Sequence, residues 1–230
     1  MAYALRSEVR KRVNVQQYKM IIATDGLIGE KCKSRNIEVL LEKGGSFEEV
    51  CDLVEDRVKV ENIKPVVLIS AGNTNVSLRY WGLNPGLIKG REEVTKKELI
   101  EDLVGKLRTC QEKMINLGAL VVFATLIPNP KEQMMLENEN IKLTSVKKVM
   151  QEIYAQVNNE IIELNREAGF TTPNLKTYVT RTGKKTKREV TLVRPGCYSP
   201  RNTTPKPRIQ EKMMGCCEHA LQYIVNKQAP

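Results

Sequence analysis

Apolar residues in this chain follow two rhythms: short unbroken runs, and longer stretches spaced by three and four positions. Met20-Ile21-Ile22-Ala23, Ile37-Glu38-Val39-Leu40-Leu41, Val66-Val67-Leu68-Ile69-Ser70 and Leu120-Val121-Val122-Phe123-Ala124 have strand length. Runs this continuous suit strands covered on both faces, because alternate side chains then meet two different helix layers. The first three end in turn chemistry, at Asp25-Gly26, Gly44-Gly45 and Ala71-Gly72-Asn73-Thr74-Asn75.

Helical spacing fills the intervals. Ser46-Phe47-Glu48-Glu49 has the form of a capping box and predicts a helix to about Val60. Thr95-Lys96-Lys97-Glu98 opens a second helix, whose Leu99, Ile100, Leu103, Val104, Leu107, Cys110 and Met114 form one stripe before Gly118. A third carries Val146, Val149, Met150, Ile153, Val157, Ile161 and Leu164 and closes at Gly169. The last starts near Pro207 and is expected to bury Ile209, Met213, Cys216, Ala220 and Ile224. Strands alternating with helices predict an α/β fold: three layers, α/β/α, around a mostly parallel, doubly wound sheet of about five strands. The expected organisation is one domain over 18–230, preceded by a basic arm at 1–17. A Gly- and Pro-rich loop between the third strand and the second helix holds the only tryptophan, Trp81.

Composition narrows the class. At 41% hydrophobic and 28% charged residues the chain reads as a soluble folded protein, and no apolar run approaches the roughly 20 residues of a membrane span. Its six cysteines lack framework spacing, so they read as reduced thiols in an intracellular, cytoplasmic protein. Cys216, Cys217 and His219 do not make a metal site, since adjacent cysteines diverge on a helix and no second Cys-x-x-Cys exists. No cofactor motif is present either: Gly72-Asn73-Thr74-Asn75 lacks the glycines and the Lys-Ser/Thr of a phosphate loop.

Charge changes the picture most. The formal net charge is +10, and residues 176–212 hold eleven Lys/Arg against two acids, a net of +9. The other residues, 26 bases against 25 acids, are nearly neutral. A basic excess concentrated in one segment is an electrostatic footprint for a polyanion. Candidate contacts are Arg181, Lys184, Lys185, Lys187, Arg188, Arg194, Arg201, Lys206 and Arg208. Tyr178 and Tyr198 are candidate stacking surfaces. The alternative is a solvated basic loop, although Glu189-Val190-Thr191-Leu192-Val193 has strand character.

The strand-end loops carry a resemblance. Asp25-Gly26-Leu27, Gly44-Gly45, Gly72-Asn73-Thr74-Asn75 and a C-terminal loop before the last helix resemble the four blocks of the SGNH (GDSL) hydrolases, over roughly residues 18–228. That resemblance implies an oxyanion hole built from Gly44 or Gly45 and from Asn73 or Asn75. It equally implies a lost triad: Gly26 stands where the family has its nucleophilic Ser, Pro195 where it has the orienting acid, and Tyr198 where it has the general base. Asp25-Gly26 also reads as a plain turn, and the asparagines as loop-closing residues. An SGNH frame without its triad and with a basic surface is similar to the Oskar-type C-terminal domains of insect germ-plasm organisers. That likeness implies a non-enzymatic RNA-binding domain of ribonucleoprotein granules. SGNH-like domains of some non-LTR retrotransposon first open-reading-frame proteins imply an esterase instead. The expectation is therefore a pseudoenzyme that binds RNA, single strands in preference. The alternatives are a divergent esterase using Thr24 or another hydroxyl in place of the family's Ser, and a scaffold for an acidic protein partner.

Overall fold

The computed structural model describes residues 18–61, 64–76, 92–128, 143–185, 188–198 and 204–228; the side chains of 92–95, 143–150, 181–193 and 195 are outside that description. Arm 1–17, Trp81, Lys187 and Arg201 lie outside the described residues. The elements are β1 (Lys19–Thr24), β2 (Ile37–Leu41), α1 (Phe47–Lys59), β3 (Pro65–Ser70), α2 (Glu92–Asn116), β4 (Leu120–Phe123), α3 (Leu143–Glu167), α4 (Lys176–Val179), β5 (Thr180–Lys185), β6 (Arg188–Val193) and α5 (Pro207–Gln228).

The sheet runs β2-β1-β3-β4, every pair parallel. Alternation within each strand divides the core in two. Ile21, Ala23, Val67, Ile69, Val121 and Phe123 join Phe47, Val50 and Val54 of α1, Leu103, Leu107 and Met114 of α2, and Ile153, Val157 and Ile161 of α3. Met20, Ile22, Val66, Leu68, Val122 and Ala124 face the other way, onto Met213, Met214, Cys217, Leu221 and Ile224 of α5. This is the expected three-layer α/β/α arrangement. The Ser46 capping box is formed, with the Ser46 hydroxyl accepting from the Glu49 N–H and Glu49 accepting from the Ser46 N–H at 2.7 Å.

Three expectations need correction. Among the described residues the main sheet has four strands rather than about five, because the strand-like segment after Arg188 pairs antiparallel with β5 in a separate hairpin. Helix α2 begins at Glu92, one turn before the Thr95 cap. The buried stripe of α5 comprises Met213, Met214, Cys217, Leu221, Ile224 and Val225, while Ile209, Cys216 and Ala220 are half-buried at its border.

Closure of the sheet at β4 has a specific cause. Asn165 of α3, fully buried, accepts from the Phe123 N–H at 3.0 Å and donates to the Phe123 carbonyl at 2.7 Å, and to Thr172 Oγ1 at 2.9 Å. Two turns earlier Asn158 accepts from the Leu126 N–H at 2.6 Å and donates to the Leu126 carbonyl at 3.2 Å. The Asn165 amide thus satisfies the Phe123 backbone groups that a further strand would otherwise pair, and Asn158 holds the chain just beyond the strand end.

Candidate functional site

In a doubly wound sheet the ligand crevice lies where the strand order reverses, beyond the strand C-termini. Here that point falls between β1 and β3, and Asp25 and Asn73 meet there. Asp25 is 5% exposed; its Oδ1 accepts from the Leu27 N–H at 3.2 Å and its Oδ2 from Asn73 Nδ2 at 3.4 Å. Burial disfavours the carboxylate and pushes its pKa from 3.8 up to about 6, against the opposing pull of these hydrogen bonds. The other end of Asn73 accepts from the Ile127 N–H at 2.9 Å. Tyr198 donates its hydroxyl to the neighbouring Pro128 carbonyl at 2.8 Å. A hydrogen-bonded path therefore runs from the C-terminal loop through 127–128 to Asn73 and Asp25.

Asn75, the other candidate, has a different task. It accepts from the Phe47 N–H at 2.7 Å and donates to Glu48 at 2.7 Å, holding the N-terminus of α1. The glycine N–H groups are likewise engaged within the fold: Gly44 donates to the Asp25 carbonyl at 2.9 Å and Gly45 to the Glu42 carbonyl at 3.0 Å. A Cβ on Gly45 would stand 2.6 Å from Glu42 Cγ, so any larger residue there displaces the exposed Glu42 side chain.

Gly26 has φ +93°, a conformation that L side chains rarely adopt, and its N–H donates to Thr24 Oγ1 at 3.0 Å. Thr24 is fully buried. Its hydroxyl, the nucleophile named for the esterase alternative, lies inside this turn. Tyr198, expected as a stacking surface, is 5% exposed, which leaves no ring face for a base; burial also raises its phenol pKa, so it stays protonated. Pro195 lies in a 3-10 turn, Pro195–Cys197. His219 is exposed on α5, and no group of three or more metal-ligating side chains occurs among the described residues.

The basic candidates divide by position. Arg181, Lys184 and Lys185 lie on β5 and Arg188 on β6, with Lys184 registered opposite Glu189 and Lys185 opposite Arg188. Arg194, Lys206 and Arg208 are exposed. Backbone bonds draw the hairpin base to the start of α5: Arg194 N–H to the Val179 carbonyl at 2.8 Å, Cys197 N–H to the Arg194 carbonyl at 3.0 Å, and Lys206 N–H to the Cys197 carbonyl at 2.8 Å. An isolated bridge pairs Tyr198 with Pro205. Tyr178 is half-buried against the α5 core.

With this geometry in place, a solved structure is comparable over most of the chain. A GDSL-like lipase from Bacteroides thetaiotaomicron superposes with a TM-score of 0.56 at 13% identity, covering 91% of this chain and 89% of that one. The fold is therefore the α/β fold of GDSL-like, or SGNH, proteins. No family model matches the sequence, and no curated protein does. No described helix is long and apolar enough to cross a membrane.

Proposed function

We propose that this chain is a non-catalytic SGNH-like domain that binds RNA through its basic C-terminal surface. The observation carrying the reading is the net +9 of residues 176–212, together with the backbone bonds that join the hairpin base to the start of α5. Lys206 and Arg208 flank the N-terminal end of α5, whose first turn holds no acid. The helix dipole is positive there, so these cations cost stability in the free protein and favour a phosphate partner. The crevice supports the non-catalytic half of the reading: Gly26 has no nucleophilic atom, Thr24 is buried, and Tyr198 holds its proton.

Binding of this kind rests on phosphates. The hairpin sequence Thr180–Val193 contains no aromatic residue and Tyr198 is enclosed, so the stacking that favours single strands loses its main support. Anisotropy titrations with single-stranded RNA, duplex RNA and DNA over 50 to 200 mM salt test the reading. With about five phosphates neutralised, the single-strand slope is about −3.5 and affinity falls about 100-fold across that range. Replacing Lys184, Lys185, Lys187 and Arg188 by Ala weakens binding to all sequences alike, because phosphate contacts position without reading bases. Undiminished affinity in that folded variant, or a salt-insensitive interaction, refutes the site; affinity for an acidic protein but no nucleic acid refutes the class of partner.

A further inference from the structure

Cys51 of α1 donates its S–H to the Cys110 sulfur of α2, the two Sγ atoms lying 2.8 Å apart. Both thiols are free, Cys51 half-buried and Cys110 4% exposed. The helices are held in register on either side of this contact. Glu48 pairs with Lys106 about one turn before the cysteines, and Glu55 pairs with Lys113 at 3.3 Å about one turn after them. Two ion pairs at matching helical spacing bracket the sulfur pair and oppose sliding of one helix past the other.

From this geometry we infer that Cys51 and Cys110 are an oxidation site, forming a disulfide that staples α1 to α2. A disulfide bond of about 2.05 Å requires the sulfurs to close by under about 1 Å, a side-chain adjustment. The co-reactant is a low-molecular-weight disulfide such as oxidised glutathione. Cys51, the more accessible sulfur, loses its proton and attacks the glutathione disulfide; a mixed disulfide forms and one glutathione leaves as thiolate. Cys110 then loses its proton and attacks the Cys51 sulfur, expelling the second glutathione. Two protein thiols are oxidised by two electrons, and one glutathione disulfide is reduced to two thiols. The neighbouring thiol and burial both raise the Cys51 pKa, which keeps the thiolate scarce and makes this a slow cross-link rather than a rapid peroxide sensor.

The cysteines stand 59 positions apart, so the bond closes a long loop in the unfolded chain and stabilises the fold against heat. Incubation of the full chain with oxidised glutathione, followed by peptide mass mapping and thermal melting, tests the inference. The expected result is a loss of two hydrogens with no retained glutathione, a cross-linked peptide joining Cys51 to Cys110, and a Tm raised by roughly 5–15 °C. Dithiothreitol reverses all three, and Cys51→Ser and Cys110→Ser each abolish the cross-link. The wild-type peptide map needs no variant and so stands even if a substitution impairs folding. Glutathione remaining on Cys51, a cross-link between other cysteines, or a Tm that falls on oxidation overturns the inference.

Discussion

Asn73 spans the point where the sheet changes direction, its Nδ2 3.4 Å from Asp25 Oδ2 and its Oδ1 2.9 Å from the Ile127 nitrogen. One amide thereby fixes the ends of β1 and β3 and the segment beyond β4, the three places from which a crevice of this fold is built. It also leaves Asp25 enclosed, with its ionisation opposed by burial.

That enclosure has a pH signature. A carboxyl raised from 3.8 to about 6 on folding binds more protons in the native state between those values. Stability therefore falls as pH rises from about 4 to about 6, and the penalty above pH 7 amounts to about 3 kcal/mol. Asp25→Asn should be more stable than the parent by about 1–2 kcal/mol at pH 7.5, the gain being reduced by the lost acceptor for Asn73. At pH 4 it should be no more stable. Urea melts at four pH values between 4 and 7.5 measure both slopes, and a parent stability that rises across this interval relative to Asp25→Asn contradicts the burial argument.

Restoring a hydroxyl at the crevice should not restore chemistry. Gly26→Ser places an L side chain at φ +93°, with its Cβ 3.4 Å from Leu41, and should cost about 1–2 kcal/mol. Neither titratable group at the crevice is placed to take the serine proton: both Asp25 oxygens already accept hydrogen bonds, from the Leu27 N–H and from Asn73 Nδ2, and the Tyr198 phenol is itself held protonated by burial. Hydrolysis of a chromogenic short-chain ester should stay at the buffer rate in both parent and variant. Turnover by either would reveal a base and count against the non-catalytic reading.

Asn165 should be among the costliest polar residues to replace. Asn165→Leu keeps the approximate volume and leaves the Phe123 N–H and carbonyl buried without partners, so a loss of about 2–5 kcal/mol is expected. Equilibrium unfolding in urea reads this directly; a loss under about 1 kcal/mol would mean that water or a neighbouring strand takes over the edge.

Tyr198 separates stability from binding. Tyr198→Phe removes the hydrogen bond to the Pro128 carbonyl and should lower stability by about 1 kcal/mol while RNA affinity and its salt slope stay unchanged. A loss of affinity in the folded variant would return this residue to the binding surface.

Legibility in the sequence tracked the physics of each element. The runs at Met20–Ala23 of β1, Val66–Ile69 of β3 and Leu120–Phe123 of β4 are unbroken apolar stretches because two helix layers need them, and no turn residue competes with that reading. Strand β5, Thr-Arg-Thr-Gly-Lys-Lys, has no apolar alternation and became visible only as the partner of β6. On α5 the expected stripe shares Met213 and Ile224 with the observed one but lies to one side of its centre, since neighbouring cysteines and methionines leave two adjacent stripes similarly apolar and the sheet selects between them. Asn158 and Asn165 stand beside Val157 and Leu164, seven apart on an apolar face. Paired asparagines at that spacing were the available signal that the helix holds backbone rather than only covering it. At the crevice, spacing brought out Asp25, Gly26 and Asn73, whereas the burial of Thr24 and Tyr198 depends on contacts 70 positions away or on a turn of the chain.

The asparagine clamp also frees the segment that follows it. Because Asn165 takes up the outer backbone groups of Phe123, and β5 and β6 pair with each other in a sheet of their own, the four parallel strands draw no ladder bonds from the hairpin. Frame and hairpin are thus two separately hydrogen-bonded pieces of backbone, and the chain carries its densest charge on the one that the frame does not use as a strand.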